Sequence, residues 1–254
     1  MVNTIRAELS KILALPGTWV ATAIAVLIPL GIAVLNLPSY RDNPSTGRVG
    51  APTVDGGFQE STMGLIGVIV LGVIIISSEY TVNGNEVGGG RQITTSLTAV
   101  PGRGRLLAAK TLVLAGLVAV LAAIAVPATV LATRTLIGES AAPLGADTGW
   151  RMLGAVLYWV LTALMAFGIT VLTRSGILPL IVLIANTSVV SVSFLLTKAT
   201  PLARFLPDVA GVQMYVREYH ATDLLAPVPG GLVMAAWTAG VLAVAWFRFT
   251  RRDA

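Results

Sequence analysis

"EYTVNGNEVGGGRQITTSLTAVPGRGRLLAAK", residues 79–110, separates two long apolar runs. It holds a glycine cluster at Gly88–Gly90, a threonine-rich patch and the basic residues Arg91, Arg103, Arg105 and Lys110. Nothing inside it is long and apolar enough to cross a bilayer, which takes ~20 helical residues. Its meaning is set by what flanks it.

The 254-residue chain is 55% hydrophobic and 11% charged, with a mean hydropathy of +0.83. A soluble domain carries roughly 25% charged residues, so this composition belongs to a membrane protein. With no cysteine there are no disulfides and no thiolate metal sites. The net charge of +5 reports orientation and lipid contact rather than nucleic acid.

Six stretches are long and apolar enough to cross the hydrocarbon: 18–37, 61–78, 106–133, 152–173, 176–197 and 230–249. They are continuous rather than alternating, which rejects a β-barrel. The third is longer than a span needs, so its first turn is expected in the interface. No small-residue cleavage site follows the first run near Pro38-Ser39, so it reads as a retained span and not as a signal peptide. The expectation is an all-α, six-span membrane domain covering residues 1–254.

Six spans put both termini on one side. That side carries Arg6, Lys11, Arg91, Arg103, Arg105, Lys110, Arg174, Arg248, Arg251 and Arg252. The other holds the remaining basic residues, spread over longer loops, and most of the acids. The basic density near span ends places the termini, and residues 79–105, in the cytoplasm.

Before the first span, Val2, Ile5, Leu9, Ile12 and Leu13 share a helical arc, with Glu8 and Lys11 off it. Such a helix is expected to lie along the inner membrane surface. Within 79–110, Gly84 and Gly88–Gly90 permit a sharp change of direction. Ile93, Leu97 and Val100 then recur at helical spacing until Pro101 ends the pattern. Arg103, Arg105 and Lys110 follow at headgroup level. Glu79, at the end of the second span, either meets interfacial water or pairs with a nearby arginine. The connection from Lys198 to Pro229 is too apolar for water and reads as short helices dipping toward the bilayer. The fifth span carries Asn186 and Ser193 on one face and Thr187, Ser188 and Ser191 on another; these serve helix packing or a substrate path.

A nucleotide site is excluded: none of Lys11, Lys110 and Lys198 lies in G-x-x-x-x-G-K-[ST]. His220, beside Glu218 and Asp223, is the only histidine and too little for a metal or catalytic centre; no G-x-S-x-G occurs. All acids fall in loops or at span ends, against an ion-coupled carrier with midplane carboxylates. The chain is therefore expected not to be an enzyme by itself.

Several segments, in order, resemble the membrane-spanning permeases of ABC-2-type (type V-like) transporters of the actinobacterial kind. They are "IRAELSKIL" before the first span and "SSEY" ending the second. "TTSLTAVPGRGRLLAAK" enters the third, "RFLPDVAG" and "LLAPVPGGL" precede the sixth, and "RRDA" closes the chain. The pattern departs at Tyr80-Thr81 and the glycine-rich insert, where the family often shows an acidic-basic pair.

The resemblance implies an ATP-driven exporter in a bacterial plasma membrane. A cytoplasmic coupling helix would seat in a separate ABC ATPase, present as two copies that bind ATP and Mg. It assigns that contact to Glu79, Glu86, Arg91, Thr94, Thr95, Leu97, Arg103 and Arg105. It makes the N-terminal helix an elbow (Ile5, Glu8, Leu9, Lys11) and the outer connection a pair of re-entrant helices. A second permease chain, identical or paralogous, completes the path, for which Asn186, Thr187, Ser188 and Ser191 are candidates. No cofactor is expected on this chain and no nucleic acid as partner. The apolar interior suits an amphipathic or lipid-like cargo. The competing readings are an ion-coupled secondary transporter and a non-transporting immunity or sequestering protein.

Overall fold

The computed structural model describes residues 1–40, 53–80, 102–188, 192–217 and 224–251, without the side chains of Tyr80, Ser188 and Phe194. Every regular element among them is helical. In chain order they are α1 (Val2–Ala14), α2 (Pro16–Tyr40), α3 (Phe58–Ser61), α4 (Leu65–Tyr80), α5 (Arg103–Ile137), α6 (Thr148–Thr173), α7 (Ile177–Ser188), α8 (Val192–Ala199), α9 (Pro207–Val212) and α10 (Pro227–Arg251).

Five helical stretches are long and apolar enough to cross a membrane: Pro16–Tyr40, Phe58–Glu79, Arg103–Ser140, Thr148–Thr173 and Pro227–Arg251. The fifth expected span is described in two parts. Within residues 176–197 the described elements are α7 and the start of α8, and residues 189–191 lie outside the described part. At 35 residues, α5 is about 52 Å long. That exceeds the hydrocarbon thickness, so its ends extend past it.

Burial sorts the helices into centre and periphery. The spanning windows of α4 and α6 are 61% buried, those of α2 and α10 only 22%. The latter two leave Leu27, Leu35, Leu232 and Phe247 exposed, as lipid-facing helices do. At the centre α4 packs against α2, α6 and α7, while α6 also contacts α5 and α10. Helices in lipid gain no hydrophobic drive from meeting each other, so close backbone approach through small residues matters more. Gly67 and Gly72 supply it. A Cβ at Gly67 would stand 2.4 Å from the Ala21 carbonyl oxygen of α2, and one at Gly72 would stand 2.4 Å from the Ala163 carbonyl oxygen of α6.

The amphipathic α1 forms where its spacing predicts. Thr4, Glu8 and Ile12 are the buried residues, whereas Val2, Leu9 and Leu13 are exposed. Ile5 packs against the edge of the core. The polar side of α1 thus meets the protein and most of its apolar stripe faces away. A helix resting in a bilayer interface satisfies both faces this way.

Candidate functional site

Ionised groups collect at two ends of the bundle. The first collection lies where α1 meets the end of α4 and the beginning of α5. Lys110 Nζ donates to Glu8 Oε2 at 2.5 Å, to Glu79 Oε1 at 2.9 Å and to the Ile75 carbonyl at 3.2 Å. Lys11 of α1 also pairs with Glu79 Oε1. Lys110 is 1% and Glu79 0% exposed. Two carboxylates and two ammonium groups interdigitate, so each buried charge has an opposite neighbour and the desolvation cost is offset.

The placement follows from local sequence. Glu79 comes directly after the apolar run of α4, at its last turn. Lys110 stands two turns into α5, after Leu106, Leu107 and Ala109, which are buried. Glu8 and Lys11 are three residues apart, on one side of α1. This corrects two expectations. Lys110 is not a headgroup-level charge; it is the hub of a buried cluster. Glu79 does not face water, and the partners seen on it are the lysines Lys110 and Lys11. Its side chain being acidic beside two lysines distant in sequence was the missed signal.

Of the residues the resemblance assigns to ATPase contact, Glu79 belongs to this cluster, while Arg103 and Arg105 open α5 beside it. Glu86, Arg91, Thr94, Thr95 and Leu97 lie outside the described residues. Of the elbow residues, Glu8 and Lys11 join the cluster, Ile5 packs against the hydrophobic core and Leu9 is exposed.

The second collection lies at the opposite end. Arg151, near the start of α6, pairs with Asp55 and donates to the Tyr215 carbonyl at 2.8 Å and the Val54 carbonyl at 3.1 Å. Its guanidinium stacks over the Phe58 ring, 4.0 Å from the centroid. Asp55 also accepts from the Arg217 backbone N–H at 2.9 Å. On the exposed rim Arg217 donates to Asp147 at 2.5 Å, and that hydrogen bond holds the Asp147 carboxyl below the ordinary aspartate range. Alongside, Glu60 receives the Tyr40 hydroxyl at 2.7 Å, the Asn36 amide at 3.1 Å and the Gly57 N–H at 2.7 Å. The connections 53–61 and 213–217 are thereby fastened to α2 and α6. Sequence reading treated Asp55, Glu60 and Arg151 only as topology charges.

The apolar connection after Lys198 forms a 3₁₀ turn at Pro201–Phe205 and then α9. Val209–Val212 are buried, and Gly211 comes so close to Tyr158 and Met234 that a Cβ there would overlap both. His220, Glu218 and Asp223 lie outside the described residues; among those described, no group of three His, Cys, Asp or Glu could hold a metal.

Between α4, α6, α7, α8 and α9 runs a cavity of about 520 Å³. Asn186 and Thr187 both line it, although the helical wheel set them on different faces. Asn186 donates to Asp208 Oδ2 at 2.7 Å, and its carbonyl oxygen accepts from the Ser193 N–H at 3.3 Å. Thr187 returns its hydroxyl to the Leu183 carbonyl at 2.8 Å. The Ser188 side chain and Ser191 lie outside the described part.

No protein-family model matches the chain, and no curated protein matches it.

Proposed function

We propose that the chain is the permease subunit of an ATP-driven exporter, set in motion by an ATPase it does not contain. In this reading α7 and α8 together make the fifth of six crossings, residues 81–101 lie in the cytoplasm with both termini, and two permease chains pair to form the path. Two copies of the ATPase, binding ATP and Mg, dock beneath them. The chain does no chemistry and needs no cofactor of its own.

The observation that carries this reading is the buried cluster at the two ends of residues 81–101. Those residues leave from α4, whose last turn bears Glu79, and return through α5, which carries Lys110 two turns in. These two groups are bonded to each other and to α1. A displacement of the intervening segment is therefore delivered to three helices at once, and through α4 and α6 to the packed centre. An ordinary connecting loop needs no such anchorage. The order of the sequence motifs supplies the rest of the support.

The experiment is affinity purification of the tagged full-length chain from its native cell in mild detergent. The proposal expects a Walker-motif ATPase in near-equal amount, and its release by Leu97→Asp with the thermal stability of the chain unchanged. A chain that purifies alone from cells expressing its neighbouring genes, or that moves cargo without nucleotide, overturns it.

A further inference from the structure

The cavity between α4, α6, α7, α8 and α9 is chemically one-sided. Its wall includes the Asp208 carboxylate, the Asn186 amide and the hydroxyls of Thr162, Thr187 and Ser193, and none of the described residues that line it is Lys, Arg or His. The remainder is apolar, with Ile69, Met165 and Leu183 on the facing helices. A volume of about 520 Å³ is in the range of sites for drug-sized molecules.

Thr162 sharpens the case. Several spanning-helix threonines return their hydroxyls to the carbonyl four residues back, as Thr129 does to Ala125, Thr170 to Ala166 and Thr187 to Leu183. Thr162 is 8% exposed, lines the cavity, and its Oγ1 has no hydrogen-bond partner among the described residues. A buried hydroxyl left unpaired costs free energy that a ligand's polar group or a bound water removes.

From these observations we infer that the cavity binds an amphiphile with an apolar body and a basic nitrogen. The ammonium group is directed to Asp208 and Asn186, and the body lies along Ile69, Met165 and Leu183. An anionic headgroup meets the Asp208 carboxylate and no cation among the described lining residues, so fatty acids and other anionic amphiphiles are rejected. Calling the ligand the exported cargo rests on the permease reading; the binding itself does not.

The test uses the purified full-length chain in neutral detergent, with dodecylamine, dodecanol and dodecanoic acid at pH 7 as probes. They share one apolar chain and differ in head charge. Apparent affinity is read from the concentration dependence of the melting temperature. The amine is expected to bind tightest, the alcohol next and the acid not at all. Asp208→Asn should remove the preference of amine over alcohol, about tenfold, and Thr162→Val should weaken both. Leu183→Trp, which fills the cavity with an apolar ring, should abolish binding of either and decides the matter if Asp208→Asn does not fold. Equal response to all three probes, or an amine preference that survives Leu183→Trp, overturns the inference. Because the chain is assayed alone, these outcomes are independent of whether an ATPase docks.

Discussion

Lys110 Nζ stands 2.9 Å from Glu79 Oε1, joining the start of α5 to the end of α4 across the chain that separates them. Glu8 on the other side of the same ammonium brings in α1. Removing one member of such a set leaves a charge buried without its partner, which costs about 3–5 kcal/mol. Lys110→Met is expected to lower the melting temperature sharply in detergent. Glu79→Gln/Lys110→Met should lose clearly less than the sum of the single changes, a coupling read from the double-mutant cycle. Additive losses would mean that the two groups do not interact.

Arg151 meets four different groups with one guanidinium: Asp55, two backbone carbonyls and the Phe58 ring. Lysine has neither the planar fork nor the stacking face to repeat this. Arg151→Lys should therefore fall close to Arg151→Met in thermal stability, both several kcal/mol below the parent in the manner of a broken buried pair. Rescue by lysine would show that charge alone is what the site uses.

The Asp147–Arg217 pair on the rim is exposed and should behave oppositely. Its aspartate titrates below the ordinary value because Arg217 bonds the ionised form. A carboxyl depressed in the folded state stabilises above its unfolded pKa and loses that effect as pH falls through the folded pKa. The small melting-temperature advantage of the parent over Asp147→Asn should be present at pH 7 and be lost as pH falls through and below the ordinary aspartate range. An advantage that grows on acidification would contradict the assignment.

Gly72 allows α4 to approach the Ala163 carbonyl of α6. Gly72→Ala should cost about 1–3 kcal/mol through overpacking, and Gly72→Leu should prevent recovery of folded protein. At Gly116 an added methyl group would meet no other atom within 4 Å, so Gly116→Ala should leave the melting temperature undiminished.

Hydropathy marks the spanning helices well because length and continuity carry that signal, and α2, α4, α5, α6 and α10 appear near their expected limits. Periodicity found α1 and its apolar stripe but not what the other side of the helix meets. In a membrane the exposed side of a helix is wet by lipid, and the polar Glu8 turned inward to meet Lys110. That pairing spans positions 8, 79 and 110, a distance no local pattern reports. The cavity around Asp208 and Thr162 is equally a product of tertiary placement.

The absence of cysteine makes the central claim directly measurable, because one introduced thiol is the only thiol in the chain. Leu97→Cys, in inside-out membrane vesicles, is exposed to a membrane-impermeant maleimide with and without the companion ATPase. Labelling should be fast in its absence and strongly suppressed when the ATPase is bound, with no labelling from outside in intact cells. Equal labelling in both preparations, or a thiol reached from the outer face, would contradict the account.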